Sequence, residues 1–229
     1  MALFYYWNGL GPRRHQKRGI RKWFWATSVG QRYSGAEFLR CVPADVKFFK
    51  KLAESPRTQF RYRPVKDRRE VVRTLYEGRT GIGCAVYCML LLRGPVSFKE
   101  NGLNEIPFLR YAARANRKDR HHIFPRQVMS DAEESPSRYN SIVNICLLTA
   151  EENQQIGKGQ PRRYLSEIKS TTTYFIRKME RHLIPCNEQS GIWSNNVSQG
   201  FRRFLKERSE RICKALEDEA EIRLFRRDK

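Results

Sequence analysis

Two adjacent histidines are the residues in this sequence best suited to chemistry at neutral pH. His121 and His122 are followed by Ile-Phe-Pro, and only two other histidines are present. The ordinary pKa of imidazole lies close to neutrality, so a histidine can take a proton from water under physiological conditions. Neighbouring side chains of a β-strand point to opposite faces. One of the two can therefore bind a metal ion while the other faces an attacking water, if the strand ends or bulges there.

Two asparagines follow the histidine pair. Asn144 lies in the β-rich run 141–148, and Asn153 comes nine residues later (153 − 144). The pattern predicts strand, polar loop (129–140), strand, and then a helix that begins near Thr149. Thr149 is a good N-cap, and Glu152 three residues later would complete a capping box. On this helix Asn153 can supply a neutral oxygen to the ion, which would stabilise the charge that develops in phosphodiester cleavage.

These residues also have a purely structural interpretation. A histidine pair can simply pack and form hydrogen bonds, and Asn153 alone would more often lie on a helix surface. Asn144 is expected to be structural in either case. The combination of both histidines with both asparagines at this spacing favours a site.

Charged residues flank the pattern on both sides. Lys158, Arg162 and Arg163 follow the predicted helix; they contact phosphate or are ordinary solvated side chains. Asp119 precedes the histidines and is a candidate partner that orients His121.

The pattern resembles the HNH, or ββα-metal, nuclease motif. The resemblance implies that His121 is a metal ligand, His122 the general base, Asn144 the residue that organises the intervening loop, and Asn153 the second ligand. Some members of that family have a further ligand four residues after the last one. Gly157 stands there in this chain, so water would complete the coordination sphere.

A longer resemblance covers residues 20–216. It depends on short segments that occur in a fixed order: Trp23-Phe-Trp-Ala-Thr-Ser, Arg32-Tyr-Ser-Gly35, His121-His-Ile-Phe-Pro125, the stretch 144–165, His182-Leu-Ile-Pro185 and Phe204-Leu-x-x-Arg208. Together they resemble the C-terminal nuclease half of GmrSD-type modification-dependent restriction proteins. The resemblance implies defence against phage or other foreign DNA. Those proteins usually carry an N-terminal nucleotide-binding half whose Asp-Gly-Gln-Arg-like motif is missing from this sequence. We therefore expect a nuclease of low specificity or a partner protein that supplies recognition or nucleotide binding.

Net charge indicates the kind of partner. The 229 residues include 45 Lys and Arg against 24 Asp and Glu, a formal charge of +21. A surface this positive repels itself unless a polyanion offsets it, and nucleic acid releases condensed counterions on binding. An anionic membrane surface and a merely solvated basic face are the alternatives; the size of the excess favours DNA.

The six cysteines predict neither a metal centre nor secretion. None belongs to a Cys-x-x-Cys pair, and no secretory signal or membrane-spanning run is present. Reduced thiols fit a cytoplasmic protein with no membrane partner. Without soft ligands, the expected cofactor is one divalent ion, Mg²⁺ with Mn²⁺ as the alternative.

The remaining sequence reads as mainly helical. The first hundred residues are helical in pattern, a buried helix ends at Gly94-Pro95, and apolar residues recur at helical spacing over 201–216. We therefore expect a mainly α fold with an embedded ββα-metal (HNH) module. Its segments are a helical N-terminal region (1–104), the module (105–165) and a C-terminal helical region (166–229) that packs on the rest.

The sequence thus predicts an HNH endonuclease that hydrolyses DNA phosphodiester bonds. Two alternatives remain: a non-catalytic DNA-binding protein with the same fold, and an RNA-cleaving toxin, because the motif does not distinguish the two sugars.

Overall fold

Helices dominate the part of the chain that the computed structural model describes, namely residues 1–9, 11–65, 67–107 and 120–226. The helices in these ranges are α1 Ala2–Asn8, α2 Arg14–Val29, α3 Glu37–Glu54, α4 Arg69–Arg73, α5 Gly81–Leu92, α6 Arg126–Asp131, α7 Pro136–Tyr139, α8 Ala150–Ile156, α9 Pro161–Thr171, α10 Phe175–Arg181 and α11 Val197–Ala220. Two short strands, β1 (His121–His122) and β2 (Ile145–Cys146), pair in antiparallel fashion. The prediction of a mainly helical fold is confirmed.

The two helices expected from apolar patterning are present. Thr80 caps the N-terminus of α5 by accepting a hydrogen bond from the Gly83 N–H, and Gly94 follows the helix with a positive φ of 60°. A left-handed conformation at this point favours glycine, which explains why the helix stops there. Helix α11 extends beyond the predicted 201–216 at both ends, and Asn196 caps its N-terminus by accepting from the Gln199 N–H.

The main hydrophobic core lies around α11. It combines side chains from α2 and α5 with those of β2, α9 and the C-terminal segment up to Phe225. A second, smaller cluster joins Phe4 of α1 to Phe48, Phe49 and Leu52 of α3. The N-terminal aromatic run therefore packs partly into the protein's own core, while Leu3, Tyr5 and Tyr6 of the same helix stay exposed.

Two local expectations are wrong. The run 141–148 was expected to form one strand, but Ile142–Asn144 is a turn of 3₁₀ helix and only Ile145–Cys146 is extended. The polar stretch 129–140 contains the end of α6 and the whole of α7 instead of a continuous loop. Each helix begins at a proline, Pro125 as the N-cap residue of α6 and Pro136 as the first residue of α7, where a missing N–H costs nothing.

Residues 74–76 connect the N-terminal part of the chain to the strand pair. The Ile142 N–H donates to the Thr74 carbonyl at 2.8 Å, and the Tyr76 N–H donates to the Asn140 carbonyl at 3.0 Å. These bonds place Tyr76 beside β1, although the two are far apart in sequence.

Two further features are the state of the cysteines and the apolar character of the helices. All six cysteines are free. Within the described residues, no helix combines the length and the apolar character needed to cross a bilayer.

Candidate functional site

The antiparallel strand pair places the two histidines on opposite sides of a short ribbon. His121 pairs with Cys146 and His122 with Ile145. His121 is 1% exposed, whereas His122 is half-buried. This difference follows from the alternation of side chains along a strand, and it brings one imidazole into the core and the other toward solvent, as the sequence predicted.

His121 contacts Asn153, the other predicted metal ligand. Its Nδ1 lies 2.7 Å from Asn153 Oδ1. Asn153 is carried there by α8, whose N-terminus is capped by Thr149 Oγ1, which accepts from the Glu152 N–H at 3.2 Å. Burial lowers the pKa of His121 from 6.5 to about 4, so the ring is neutral at pH 7 and keeps a lone pair for a proton or a cation.

Tyr164 of α9 and Asn153 face the two ring nitrogens of His121. The Tyr164 hydroxyl donates its only hydrogen to the Ile123 carbonyl at 2.9 Å, and its oxygen lies 3.4 Å from His121 Nε2. This oxygen can only accept from an Nε2–H, whereas Asn153 Oδ1 accepts from an Nδ1–H at 2.7 Å. The shorter bond favours the proton on Nδ1, so a cation would bind Nδ1 only with the proton on Nε2, where the Tyr164 oxygen accepts it.

His122 has a different set of neighbours. Its Nε2 lies 3.3 Å from Asn140 Oδ1 and accepts from Arg126 Nε at 3.3 Å, while the Tyr76 ring packs edge-on with the centroids 5.1 Å apart. Burial lowers the pKa of His122 below its ordinary value, although hydrogen bonds with Asn140 and with the backbone of Arg120 partly oppose this shift. His122 is therefore a neutral, accessible base at pH 7.

Asn144 joins the two ends of the segment between the strands. Its Oδ1 accepts from the Phe124 N–H, and its Nδ2 donates to the carbonyls of Phe124 and Tyr139, each at 2.9 Å. The side chain is fully buried, so these bonds are shielded from water. Asn144 lies in the 3₁₀ turn just before β2 rather than within a strand, and its position fits the organising role that the resemblance implies.

Arg208 of α11 supports β2 from the other side. Its fully buried guanidinium donates to the carbonyls of Val143 and Ile145 (the latter at 2.8 Å) and to that of His182 at 2.9 Å. Burial lowers its pKa to about 10, which still leaves it charged at pH 7. This role was not predicted from the sequence. The sequence does contain an indication of it, because residue 208 falls on the apolar face of α11, where a cation is unexpected.

Glu152 does not complete the capping box. Its carboxylate turns away from Thr149 and accepts instead from Ser97 Oγ at 3.0 Å and from the N–H groups of Phe98 and Lys99. Tertiary contacts therefore outcompete the local bond, and only the Thr149 half of the predicted box forms.

The segment that Glu152 binds is also held from its other side. Lys178 of α10, which is fully buried, donates from Nζ to the Ser97 carbonyl at 3.0 Å, to the Phe98 carbonyl at 3.3 Å and to that of Glu100. The Phe98 ring packs edge-on against His121, with ring centroids 6.1 Å apart. Phe98 thus covers one side of the buried imidazole, and none of residues 97–100 was predicted from the sequence to belong to the site.

The remaining predicted residues lie outside this cluster. Lys158, Arg162 and Arg163 are exposed around the start of α9, and no bond joins their side chains to other described residues. His182 is buried, as expected of a packing residue, and burial lowers its pKa to about 3. Asp119 lies outside the described residues.

The donor set can be compared with what a divalent ion requires. Ligands of Mg²⁺ lie about 2.1 Å from the ion in an octahedron, which places neighbouring donors roughly 3 Å apart. The 2.7 Å between His121 Nδ1 and Asn153 Oδ1 is close to that spacing. Within the described ranges, no three His, Cys, Asp or Glu side chains come together as a metal-binding group. The pair fits an ion that keeps most of its ligands as water or takes them from a substrate.

Comparison with known proteins gives no relative for this chain: neither a protein-family model nor a curated protein nor a solved structure matches it.

Proposed function

We propose that the protein is a metal-dependent HNH endonuclease that hydrolyses DNA phosphodiester bonds, with His122 as the general base. The observation that carries this proposal is the arrangement of the two neighbouring imidazoles. His121 is buried with its Nδ1 2.7 Å from Asn153 Oδ1, while His122 faces solvent from the opposite side of the same strand. In this proposal β1, β2 and α8 form the ββα-metal module.

The role of His122 follows from its proton chemistry. A pKa below the ordinary value means that the ring is unprotonated at pH 7 and can take a proton from water. Nε2 carries the lone pair in the tautomer in which it accepts from Arg126 Nε. Arg126, whose Nε lies 3.3 Å from that lone pair, places a positive charge where an incoming phosphate would approach.

His121 and Asn153 are the residues that would hold the divalent ion, which we propose is Mg²⁺, with Mn²⁺ as an alternative. When bound, such an ion stabilises negative charge on the phosphate and on the departing sugar oxygen. The pair contributes no formal negative charge. The substrate's own phosphate must therefore supply the anionic ligand, and we expect the protein to bind the ion weakly in the absence of nucleic acid.

The preference for nucleic acid is supported by the charge of +21. Lys158, Arg162 and Arg163 follow the helix that carries Asn153 and are exposed, so we propose that they contact the phosphate backbone. A cytoplasmic role in defence against foreign DNA, with a partner protein for recognition, is proposed on the resemblance described above.

The test is cleavage of plasmid DNA and of RNA by the purified protein, with Mg²⁺ or with EDTA. His122→Ala should lower the cleavage rate by ~10²–10⁴-fold, the usual effect of losing a general base, while DNA binding in EDTA stays nearly intact. EDTA should abolish cleavage by the wild type, and His121→Ala and Asn153→Ala should each raise the Mg²⁺ concentration needed for half-maximal rate. His15→Ala is the matched control, since it removes a histidine far from β1 in sequence and should cleave at the wild-type rate.

Four results would contradict the proposal. Wild-type cleavage by purified His122→Ala would exclude this residue as the base. Full activity in EDTA would exclude the metal. Cleavage of RNA alone would reassign the protein to the RNA-cleaving class, and binding without any cleavage would leave a DNA-binding protein with this fold.

A further inference from the structure

A second site lies in the N-terminal part of the chain, away from the histidines. A cleft of about 1030 Å³ opens between the end of α2, the start of α3 and the segment 60–63. Its charged lining consists of four arginines and one glutamate: Arg32, Arg40, Arg61, Arg63 and Glu37. We call it the arginine cleft. It shares no lining residue with the histidine site, here defined as His121, His122 and Asn153.

Two of the arginines are neutralised within the protein. Arg32 forms an ion pair of 2.8 Å with Asp45, which is 4% exposed and also accepts from Trp23 Nε1 at 3.0 Å. Arg40 pairs with Glu37 one helical turn away on the surface of α3. Both arginines therefore already have counter-charges.

Arg61 and Arg63 have no counter-charge among the described residues. Neither side chain forms an ion pair or a hydrogen bond with any described residue, and both are exposed. The alternate residues Phe60 and Tyr62 are half-buried and pack against the hydrophobic core. The segment therefore presents two guanidinium groups to the cleft and anchors itself through the two aromatic rings. Like charges held on one edge of a cleft repel each other unless an anion lies between them.

We propose that the arginine cleft binds the phosphate groups of a nucleotide, either as a free nucleotide or as a unit of a nucleic-acid strand. Guanidinium is the side-chain group whose planar fork best matches phosphate oxygens. The cleft is far larger than a phosphate ion needs and lies at the upper end of the range for small-molecule sites. The half-buried Tyr62 ring also lines the cleft, and its exposed part suits the sugar or base that a nucleotide adds to its phosphates. The proposal does not rest on the nuclease function, because binding here requires neither histidine nor a metal ion.

The experiment compares two full-length variants with the same change in net charge. Arg61→Gln/Arg63→Gln removes both unpaired cations of the cleft. Lys50→Gln/Lys206→Gln is the control, because both lysines are exposed, lie outside the cleft lining and form no ion pair with described residues. Circular dichroism checks that both variants are folded. The probes are a labelled short duplex DNA, titrated in EDTA at several salt concentrations, and ATP, titrated by calorimetry in EDTA.

The expected result depends on the source of the phosphate. If the cleft binds a strand, the cleft variant lowers the slope of log affinity against log salt by about 2, since each lost phosphate contact contributes ~0.9, and the control lowers it by less than half as much. If the cleft binds a free nucleotide, wild type and control bind ATP and the cleft variant loses at least about tenfold in affinity.

Equal behaviour of the two variants toward both probes would overturn the proposal. That result would leave the nuclease proposal untouched, because all titrations are made without metal. Conversely, wild-type cleavage by His122→Ala would contradict the nuclease proposal but says nothing about the cleft, so the two proposals fail independently.

Discussion

The histidine site and the arginine cleft are built by opposite means. At the histidine site, buried hydrogen bonds from distant parts of the chain support the functional groups, and Asn144 and Arg208 contribute three bonds each. In the arginine cleft the two unpaired cations are exposed and form no bond with described residues. Only the neutralised Arg32 is anchored, through Asp45.

The difference matches what each site is proposed to do. Proton transfer requires a base and a ligand held to within a few tenths of an ångström, which only a packed and hydrogen-bonded environment can provide. Phosphate binding through charge tolerates movable side chains, because Coulombic attraction falls off slowly with distance. Perturbing the histidine site should therefore affect stability and chemistry together, whereas perturbing the cleft should affect binding alone.

Acidification gives the largest expected effect on stability, and it acts through the histidine region. His121 and His182 have folded pKa values of about 4 and about 3, against an ordinary value of 6.5. Below pH 6.5 the unfolded chain therefore binds protons that the folded protein does not, so the free energy of unfolding falls as the pH falls. The slope should approach about 2.7 kcal/mol per pH unit for two such protons. Urea denaturation between about pH 7 and about pH 5 measures it.

A His182 variant distinguishes the contribution of these histidines to the pH dependence from that of other titrating groups. Burial raises the pKa of Glu152, and this group acts in the opposite direction because the folded protein holds its proton more tightly. His182→Gln should reduce the slope by about 1.4 kcal/mol per pH unit, whereas His15→Gln, outside the buried cluster, should leave it unchanged. A wild-type slope in His182→Gln would show that this histidine is not buried in its neutral form.

Replacing Asn144 gives the next largest effect. Asn144→Ala leaves the Phe124 N–H and the carbonyls of Phe124 and Tyr139 buried without this partner, which should cost about 3 kcal/mol of unfolding free energy. Asn153→Ala, which loses one hydrogen bond at a half-buried position, should cost less than about 1 kcal/mol. Arg61→Gln/Arg63→Gln should stay within about 0.5 kcal/mol. Chemical denaturation at constant pH compares the unfolding free energies of the three variants. If the cleft variant loses as much as Asn144→Ala, the two regions do not differ in how much their side chains contribute to stability.

Removing the Tyr164 hydroxyl has a modest effect on stability but a specific one on His121. Tyr164→Phe should cost about 1 kcal/mol. Without the acceptor opposite Nε2, the tautomer with its proton on Nε2 loses that partner, so the proton should stay on Nδ1 and donate to Asn153, and the nitrogen facing the proposed ion becomes less available. Nitrogen NMR of the imidazole with and without Mg²⁺ reports the tautomer, and Tyr164→Phe should need more Mg²⁺ than the wild type for half-maximal cleavage rate.

The control is Tyr139→Phe, because the Tyr139 hydroxyl forms no hydrogen bond with described residues. A wild-type Mg²⁺ requirement in Tyr164→Phe would mean that the Tyr164 oxygen does not support the tautomer with its proton on Nε2.

Local patterns predicted those parts of the fold that depend on neighbours in sequence. Helices α5 and α11, the Thr149 cap and the opposite faces of His121 and His122 were all expected, because helix stop signals, capping residues and strand alternation act over a few residues. The predicted length of the second strand was wrong. The β-rich residues of 141–148 are explained by burial, with Ile142, Val143 and Ile145 fully inside the core, rather than by pairing over their whole length.

The sequence by itself determined the chemical types available: two imidazoles, two amides at a fixed spacing and a large excess of positive charge. Tertiary structure decided how they are used. It brought Tyr164 to His121, turned Glu152 from its own helix cap to residues 97–100, and buried Arg208 against β2. It also brought Arg32 to Asp45, whereas Arg61 and Arg63 have no ion-pair partner among the described residues. The physical reason is that burial and hydrogen-bond partners come from residues remote in sequence, and these set the pKa, the tautomer and the counter-charge of each group.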